Sequence, residues 1–283
     1  MDTGIWTSYF HELTPEDAVG LLARNGWRHL ELSCEHAAAL LGRGDPTAVA
    51  EEFLGFCHDV GVSLPQAHFR LDADITLPPG PRRRQEMEEL TRWLDLFVAL
   101  GVEAAVLHPG GRSTLEATPL SGDLLDANVR GLCELLDHRA SSKTVICLEN
   151  GPQAGELVGL IKQADRKRLG ICFDTGHLAL IRTRWPALGQ SDEEFVLAAG
   201  KCLTALHLHD NDGSEDQHRL PFAGGKVDWD GLARALGETG YDGLLNFEVP
   251  GETGCPLPER LSRLRRAEEI AGRFRDAVRR ASR

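Results

Sequence analysis

A chain of 283 residues, 42% hydrophobic and 26% charged, is long enough to bury a full-sized core and has neither a fibrous nor a disordered composition. Its formal net charge of −12 argues against general nucleic-acid binding, which depends on neutralising phosphates with Lys and Arg. The seven cysteines at 34, 57, 133, 147, 172, 202 and 255 are odd in number and scattered, with no C-x-x-C, which reads as reduced thiols rather than a disulfide framework or a zinc knuckle.

The chain begins "MDTGIWTSYF", without the basic region and apolar run of a signal peptide, and no apolar run approaches the roughly 18 residues of a membrane span. The expectation is a soluble, cytoplasmic protein with no membrane partner. Short apolar runs then alternate with amphipathic stretches. The runs are "TGIW" (3–6), "HLELS" (29–33), "VSLPQAH" (62–68), "AAVLH" (104–108), "TVICLE" (144–149), "LGICFD" (169–174), "TALHLH" (204–209) and "GLLNFE" (243–248). Helical patterns lie between them over 16–24, 46–60, 81–100, 126–138, 156–164, 192–199 and 229–238, and a charged helix from Pro258 closes the chain. Thr14-Pro15-Glu16 and Asp45-Pro46 place an oxygen-bearing cap before a first-turn proline. Gly26, Gly61 and Gly101 follow helices, where a left-handed residue is common. Repeated strand–helix alternation predicts an α/β fold, a single (β/α)8 TIM barrel spanning 1–283 as one domain. An open doubly wound sheet fits less well, because no glycine-rich phosphate fingerprint follows the first run.

The last residues of the runs carry the chemistry. Consecutive runs from the third onward end in His68, His108, Glu149, Asp174, the pair His207 and His209, and Glu248. In a barrel this end of the strands holds the catalytic groups. Alternation would turn Leu148, Phe173, Leu206 and Phe247 outward, and Glu149, Asp174, His207 and Glu248 into the mouth. Cys147, Cys172, Ala205 and Asn246, two residues earlier, are small enough to fill the layer beneath. One acid or histidine at a strand end is commonly a solvated loop residue, but so many at the same end point to a shared metal or catalytic site. Glu31, within the second run, could point into the barrel and help the site.

The pieces "AHF" (67–69), "LHPGG" (107–111), "LEN" (148–150), "FDTGH" (173–177), "LHLHDND" (206–212), "HRLPFAGGKVDW" (218–229) and "NFEV" (246–249) occur in order along nearly the whole chain. Together they resemble the xylose isomerase-like TIM barrel superfamily, which includes sugar isomerases, epimerases and dehydratases as well as the endonuclease IV group. The resemblance implies one divalent metal held by Glu149, Asp174, His207 and Glu248, with Glu149 and Glu248 also the acid/base pair. Trp6, His68, His108, His177, His209, Asp216 and His218 would then face the substrate. Three carboxylates and an imidazole suit Mn²⁺, Mg²⁺ or Co²⁺, with Zn²⁺ the alternative. The implied activity is isomerisation or epimerisation of a small sugar, keto-sugar or sugar phosphate by glutamate-mediated proton transfer through an enediolate, with a homo-oligomer allowed and no nucleic acid expected.

The alternatives are a sugar dehydratase or lyase of the same superfamily and an endonuclease IV-like, multi-zinc phosphodiesterase. The second has a candidate for each of its ligands in His68, His108, Glu149, Asp174, His177, His207, Asp216, His218 and Glu248. Against it, "GIWTS" has tryptophan where those enzymes have histidine, and the loops "FRLDADITLPPG" and "DNDGSEDQH" are acidic. Ala223 stands where the family often has an acid. Arg182, Arg184, Trp185 and Arg112 could meet a phosphate or carboxylate, or be ordinary loop residues. His11, His36, His58 and His138 have no evident partner, and the arginines from 260 onward read as a packing, salt-bridged helix.

Overall fold

Eight parallel strands and ten α-helices form among the residues that the computed structural model describes, which are 1–111, 115, 119–151 and 153–282; Arg112 lies outside them. The strands are β1 (Thr3–Trp6), β2 (His29–Leu32), β3 (Ser63–His68), β4 (Ala104–Leu107), β5 (Val145–Glu149), β6 (Leu169–Asp174), β7 (Leu203–His207) and β8 (Leu245–Phe247). They pair in the order β7-β6-β5-β4-β3-β2-β1-β8, every neighbour parallel. Between β7 and β8 the ring closes by a parallel bridge from Leu208 to Phe247. There the Leu208 N–H donates to Asn246 O at 2.8 Å and the Glu248 N–H donates to Leu208 O at 3.2 Å. The architecture is the (β/α)8 barrel that the alternation predicts.

The helices are α1 (Pro15–Arg24), α2 (Cys34–Leu41), α3 (Pro46–Asp59), α4 (Pro81–Ala99), α5 (Gly122–His138), α6 (Ala154–Ala164), α7 (Thr175–Arg184), α8 (Asp192–Ala199), α9 (Trp229–Thr239) and α10 (Leu257–Ala281). The expected caps are present: Thr14 accepts from the Asp17 N–H, and Asp45 from those of Thr47 and Ala48. Gly26, Gly61 and Gly101 take φ of 98°, 70° and 73°, ending their helices in the left-handed region. Two helices were not predicted, α2 and α7. The first has only eight residues. The second is buried from Thr175 through Ile181, so it lacks the polar face on which helical periodicity depends. Among the described residues, no helix is long and apolar enough to cross a membrane.

Side-chain parity is what places the functional end. Leu148, Phe173, Leu206 and Phe247 face outward into the shell between strands and helices and are fully buried. Phe173 stacks on Phe195 of α8 with centroids 4.6 Å apart, and Trp27 meets Phe247 at 6.4 Å. Each such side chain stabilises the fold by about 1.5–3 kcal/mol. Inside the barrel, Ala104, Val106, Cys147, Cys172 and Ala205 form a separate small-residue layer. Two residues further along the same strands stand His108, Glu149, Asp174 and His207. The first of the terminal arginines ties α10 to the segment after β1. Buried Arg260 donates to Gly251 O at 2.6 Å, Tyr9 O at 3.0 Å and Glu12 Oε1 at 2.5 Å.

Candidate active site

His207 ends β7 at the centre of the mouth. Its Nδ1 lies 3.4 Å from Glu248 Oε1, 3.5 Å from Glu149 Oε2 and 3.8 Å from Asp174 Oδ2. All four side chains are buried, and neither ring nitrogen of His207 makes a hydrogen bond. Burial disfavours charge on the ring, yet Glu248, Glu31 and Glu149 together push its pKa up to about 10. The carboxylates thus call for positive charge at one point. An unpartnered imidazole nitrogen facing three carboxylate oxygens is a donor set suited to a divalent cation, so the residues present fit the metal that the resemblance implies. The other ring nitrogen, Nε2, is 3.1 Å from Glu31 Oε2, because Glu31 does turn into the barrel.

Glu149 is ringed by histidines. His68 Nε2 and His108 Nε2 each stand 3.1 Å from Oε2, and His177 Nδ1 stands 2.8 Å from Oε1. Burial alone would raise the carboxyl's pKa, but His108, His177 and His207 outweigh it and hold Glu149 well below the usual range. Glu248, at the end of β8, differs. Burial pushes it well up, His207 opposes, and the nearby Glu31, Asp174 and Glu149 charges add to the rise. Two glutamates about one imidazole are thereby held in different protonation preferences.

The remaining residues build one wall. Asp174 ends β6 and also caps α7, accepting from the His177 N–H at 2.7 Å through Oδ1 while Oδ2 is 2.9 Å from His209 Nε2. His209 packs where a Cβ on Gly176 would come within 2.0 Å of its Cε1, so only glycine leaves room for the ring. His209, His218 and Trp6 form a column, with centroids 3.8 Å and then 5.2 Å apart and planes within 11° and 9°. Asp216 Oδ2 lies 3.2 Å from His218 Nε2 and 3.3 Å from His177 Nε2. The loop carrying Asp216 and His218 is anchored by Asp210, whose Oδ1 accepts from the N–H groups of Asn211, Lys226 and Val227 and whose Oδ2 accepts from Trp229 Nε1.

These walls enclose a cavity of about 490 Å³ that reaches Trp6, His68, His108, Glu149, His177 and Glu248. That size suits a small ligand. Asp216 and His218 also line it. His209 differs from its expected place beside the substrate: it is fully buried behind His218 and touches Asp174 instead. Ser33, Cys34 and Glu35, which follow β2, line the cavity too. They carry no sequence signal, since the short α2 that presents them was not foreseen. Asn150 of "LEN" braces β6, accepting from the Asp174 N–H at 2.5 Å. The candidate anion-binding arginines are engaged elsewhere: Arg182 donates to Gln190 O and Lys226 O and pairs with Asp192, and Arg184 donates to Ser214 O. His36 and His138 have partners after all, in Leu13 O at 3.3 Å and Asp95 at 2.9 Å.

Solved structures share this fold. A D-psicose 3-epimerase from Clostridium cellulolyticum H10 superposes with a TM-score of 0.73 at 19% identity, covering 100% of this chain and 99% of that one. An L-ribulose 3-epimerase gives 0.75 at 15% identity, covering 99% and 96%. Among curated sequences, an uncharacterized protein of Sinorhizobium fredii is 28% identical over 176 residues, 60% of this chain and 54% of that protein. An uncharacterized protein of Methanocaldococcus jannaschii is 31% identical over 159 residues, 53% and 51% of the two chains, so the match spans about half the length of these relatives. A probable endonuclease 4 of Nitratidesulfovibrio vulgaris is 35% identical over 107 residues, 35% of this chain and 36% of that one. A family model described as xylose isomerase-like TIM barrel matches residues 19–276, and the chain belongs to that family.

Proposed function

We propose that the chain is a divalent-metal-dependent isomerase or epimerase of a small sugar or keto-sugar. The observation that carries this reading is the pair Glu149 and Glu248, both within 3.5 Å of His207 Nδ1, one held toward the carboxylate and the other toward the acid, and both lining a sugar-sized cavity. A pair of carboxyl groups pushed apart in pKa is what proton removal and return require. Glu149, Asp174, His207 and Glu248 would hold the cation. When bound, it supplies Lewis acidity to a carbonyl and its neighbouring hydroxyl, lowering the cost of α-proton loss. Glu149 and Glu248 move the proton between substrate carbon and carboxyl oxygen. His68, His108 and His177 orient Glu149, and Trp6 packs against the sugar's apolar face and excludes water.

The structures sharing the fold with this chain include sugar 3-epimerases, which supports the same substrate class. The test is exchange of a substrate α-proton into deuterated water over a panel of ketopentoses and ketohexoses, with the Mn²⁺-loaded and the chelator-treated protein. Exchange that depends on metal and falls with Glu248→Gln is expected. Metal-replete protein that exchanges no member of the panel overturns the reading.

One observation favours a second reading, an endonuclease IV-like phosphodiesterase. His68, His108 and His177 all adjoin Glu149 of the principal group, and Asp216 links His177 to His218, so nine candidate ligands adjoin. Against it, the described residues lining the cavity include the acids Glu31, Glu35, Glu149, Asp216 and Glu248 and no Lys or Arg, a poor surface for a phosphate backbone. Two or three zinc ions per chain together with cleavage of abasic-site DNA would establish this second reading.

A further inference from the structure

Below the mouth, one buried carboxylate has neighbours that packing alone does not explain. Glu31 of β2 is fully buried inside the barrel. Its Oε2 accepts from Gln66 Nε2 of β3 and Asn246 Nδ2 of β8, both at 2.5 Å, and stands 3.1 Å from His207 Nε2 of β7. Its Oε1 is buried without any partner. A carboxylate taken out of water costs several kcal/mol unless nearby groups compensate it. Here two amide donors, one from the neighbouring β3 and one from β8 beyond β1, hold a single oxygen beside one edge of the His207 ring. A neutral imidazole carries a proton on one nitrogen and a lone pair on the other, and the acceptor beside one nitrogen decides which is which. Carboxylates face both nitrogens, but Nε2 faces only Glu31, at 3.1 Å, so Nδ1, among Glu149, Asp174 and Glu248, is the nitrogen that would give up its proton to a cation.

We propose that Glu31 is a positioning residue, held by Gln66 and Asn246, that keeps the proton of His207 on Nε2 and turns its Nδ1 lone pair toward a divalent cation between the three mouth carboxylates. The inference rests on the metal-dependent reading of the site given above and adds a residue to it. In this role Glu31, although it lines the cavity, acts through His207 rather than on the substrate's reacting atoms. Replacing its carboxylate by an amide of the same shape keeps the packing but removes the negative charge that favours a proton on Nε2. The ring can then settle with Nδ1 protonated, and the cation loses one of its four donors. Loss of such an outer partner typically weakens metal binding about 10–100-fold.

The experiment measures Mn²⁺ affinity of the full chain by competition with a fluorescent chelator, for the wild type, Glu31→Gln and Gln66→Leu, with folding followed by circular dichroism. Glu31→Gln is expected to bind Mn²⁺ about 10–100-fold more weakly while remaining folded. Gln66→Leu, which leaves the carboxylate beside His207, is expected to change affinity by less than about 5-fold while lowering the melting temperature. A Glu31→Gln protein that melts earlier but binds Mn²⁺ as the wild type does would leave Glu31 a merely structural residue; this overturns the inference and leaves the proposed function standing. A wild-type chain that binds no Mn²⁺ overturns both. Should Glu31→Gln fail to fold, nitrogen NMR of the Zn²⁺-loaded wild type decides instead. A His207 ring bonded through Nδ1 and protonated at Nε2 is expected, and the reverse attachment overturns the proposal.

Discussion

The two glutamates of the mouth occupy opposite surroundings although each ends or follows a strand at the same level. Glu149 is enclosed by His68, His108, His177 and His207, all within 3.5 Å of its oxygens. Glu248 has His207 at 3.4 Å and His218 only at 3.8 Å, and the charges of Glu31, Asp174 and Glu149 bear on it. One carboxyl is held ionised by cation-capable neighbours, and the other is pushed toward its neutral form by burial and like charge. The lesson is that residue type alone does not assign roles in this pair. The surrounding strands do, by delivering histidines to one side and acids to the other.

The largest effect expected from breaking this contrast is at Glu149. Glu149→Ala would remove the group on which three histidines converge beside His207, so it should abolish tight metal binding and lower kcat/KM by about 10³-fold or more. Metal analysis after gel filtration, paired with the exchange assay, checks it. A variant that keeps its metal and more than a tenth of its activity would show that Glu149 is dispensable. Glu248→Gln is expected to cost about 10²–10⁴-fold in kcat with a smaller loss of metal, since a proton-transfer group is removed but an oxygen donor remains. Steady-state kinetics at saturating Mn²⁺ separates the two outcomes.

The metal-free protein gives a sharper comparison, because the two substitutions should move stability in opposite directions at pH 8. Glu149 has a folded pKa below its unfolded value near 4.5. Its contribution is therefore present above that value and lost as pH falls through the folded pKa. Glu248 is the reverse: its folded pKa lies above 4.5, so the folded state loses stability as pH rises from 4.5 through the folded value. Chelator-treated Glu149→Gln should melt a few degrees lower than wild type at pH 8, and Glu248→Gln a few degrees higher, about 2–4 °C for each kcal/mol. Calorimetry that finds both shifts of one sign would erase the electrostatic contrast.

Much of this was legible beforehand, for a physical reason. Strands of a barrel are buried on both faces and stand out as apolar runs, and each of the eight runs overlaps a strand. Parity then follows from the two-residue repeat, which is why Glu149, Asp174 and His207 could be placed on one face above Cys147, Cys172 and Ala205. What stayed hidden depends on contacts across the ring. Glu31 reads as one more inward polar residue until Gln66 and Asn246 are seen to fix it. His209 shares the parity of His207 yet is drawn back by Asp174 into space that only Gly176 leaves open. The buried α7 offered no periodicity, and the cavity residues Ser33 to Glu35 depend on a helix too short to announce itself.

The smallest expected effect is at Trp6, which probes the Glu248 side from its wall. The indole Nε1 donates to Val249 O at 2.8 Å, one residue beyond Glu248, and the ring stacks on His218, whose Nδ1 is 3.0 Å from Glu248 O. Trp6 therefore fixes the backbone that presents Glu248 and supplies an apolar face to the cavity. Stacking of this kind is worth about 0.5–1.5 kcal/mol, so Trp6→Ala should raise KM by roughly 2- to 12-fold while kcat changes by less than about 3-fold. Trp6→Phe keeps a ring on His218 and loses only the hydrogen bond to Val249, so its KM should fall between the two. A Trp6→Ala protein in which kcat collapses while KM is unchanged would mean that the wall sets the position of Glu248 during proton transfer. The two glutamates would then depend on opposite walls of the same cavity rather than on their charged neighbours alone.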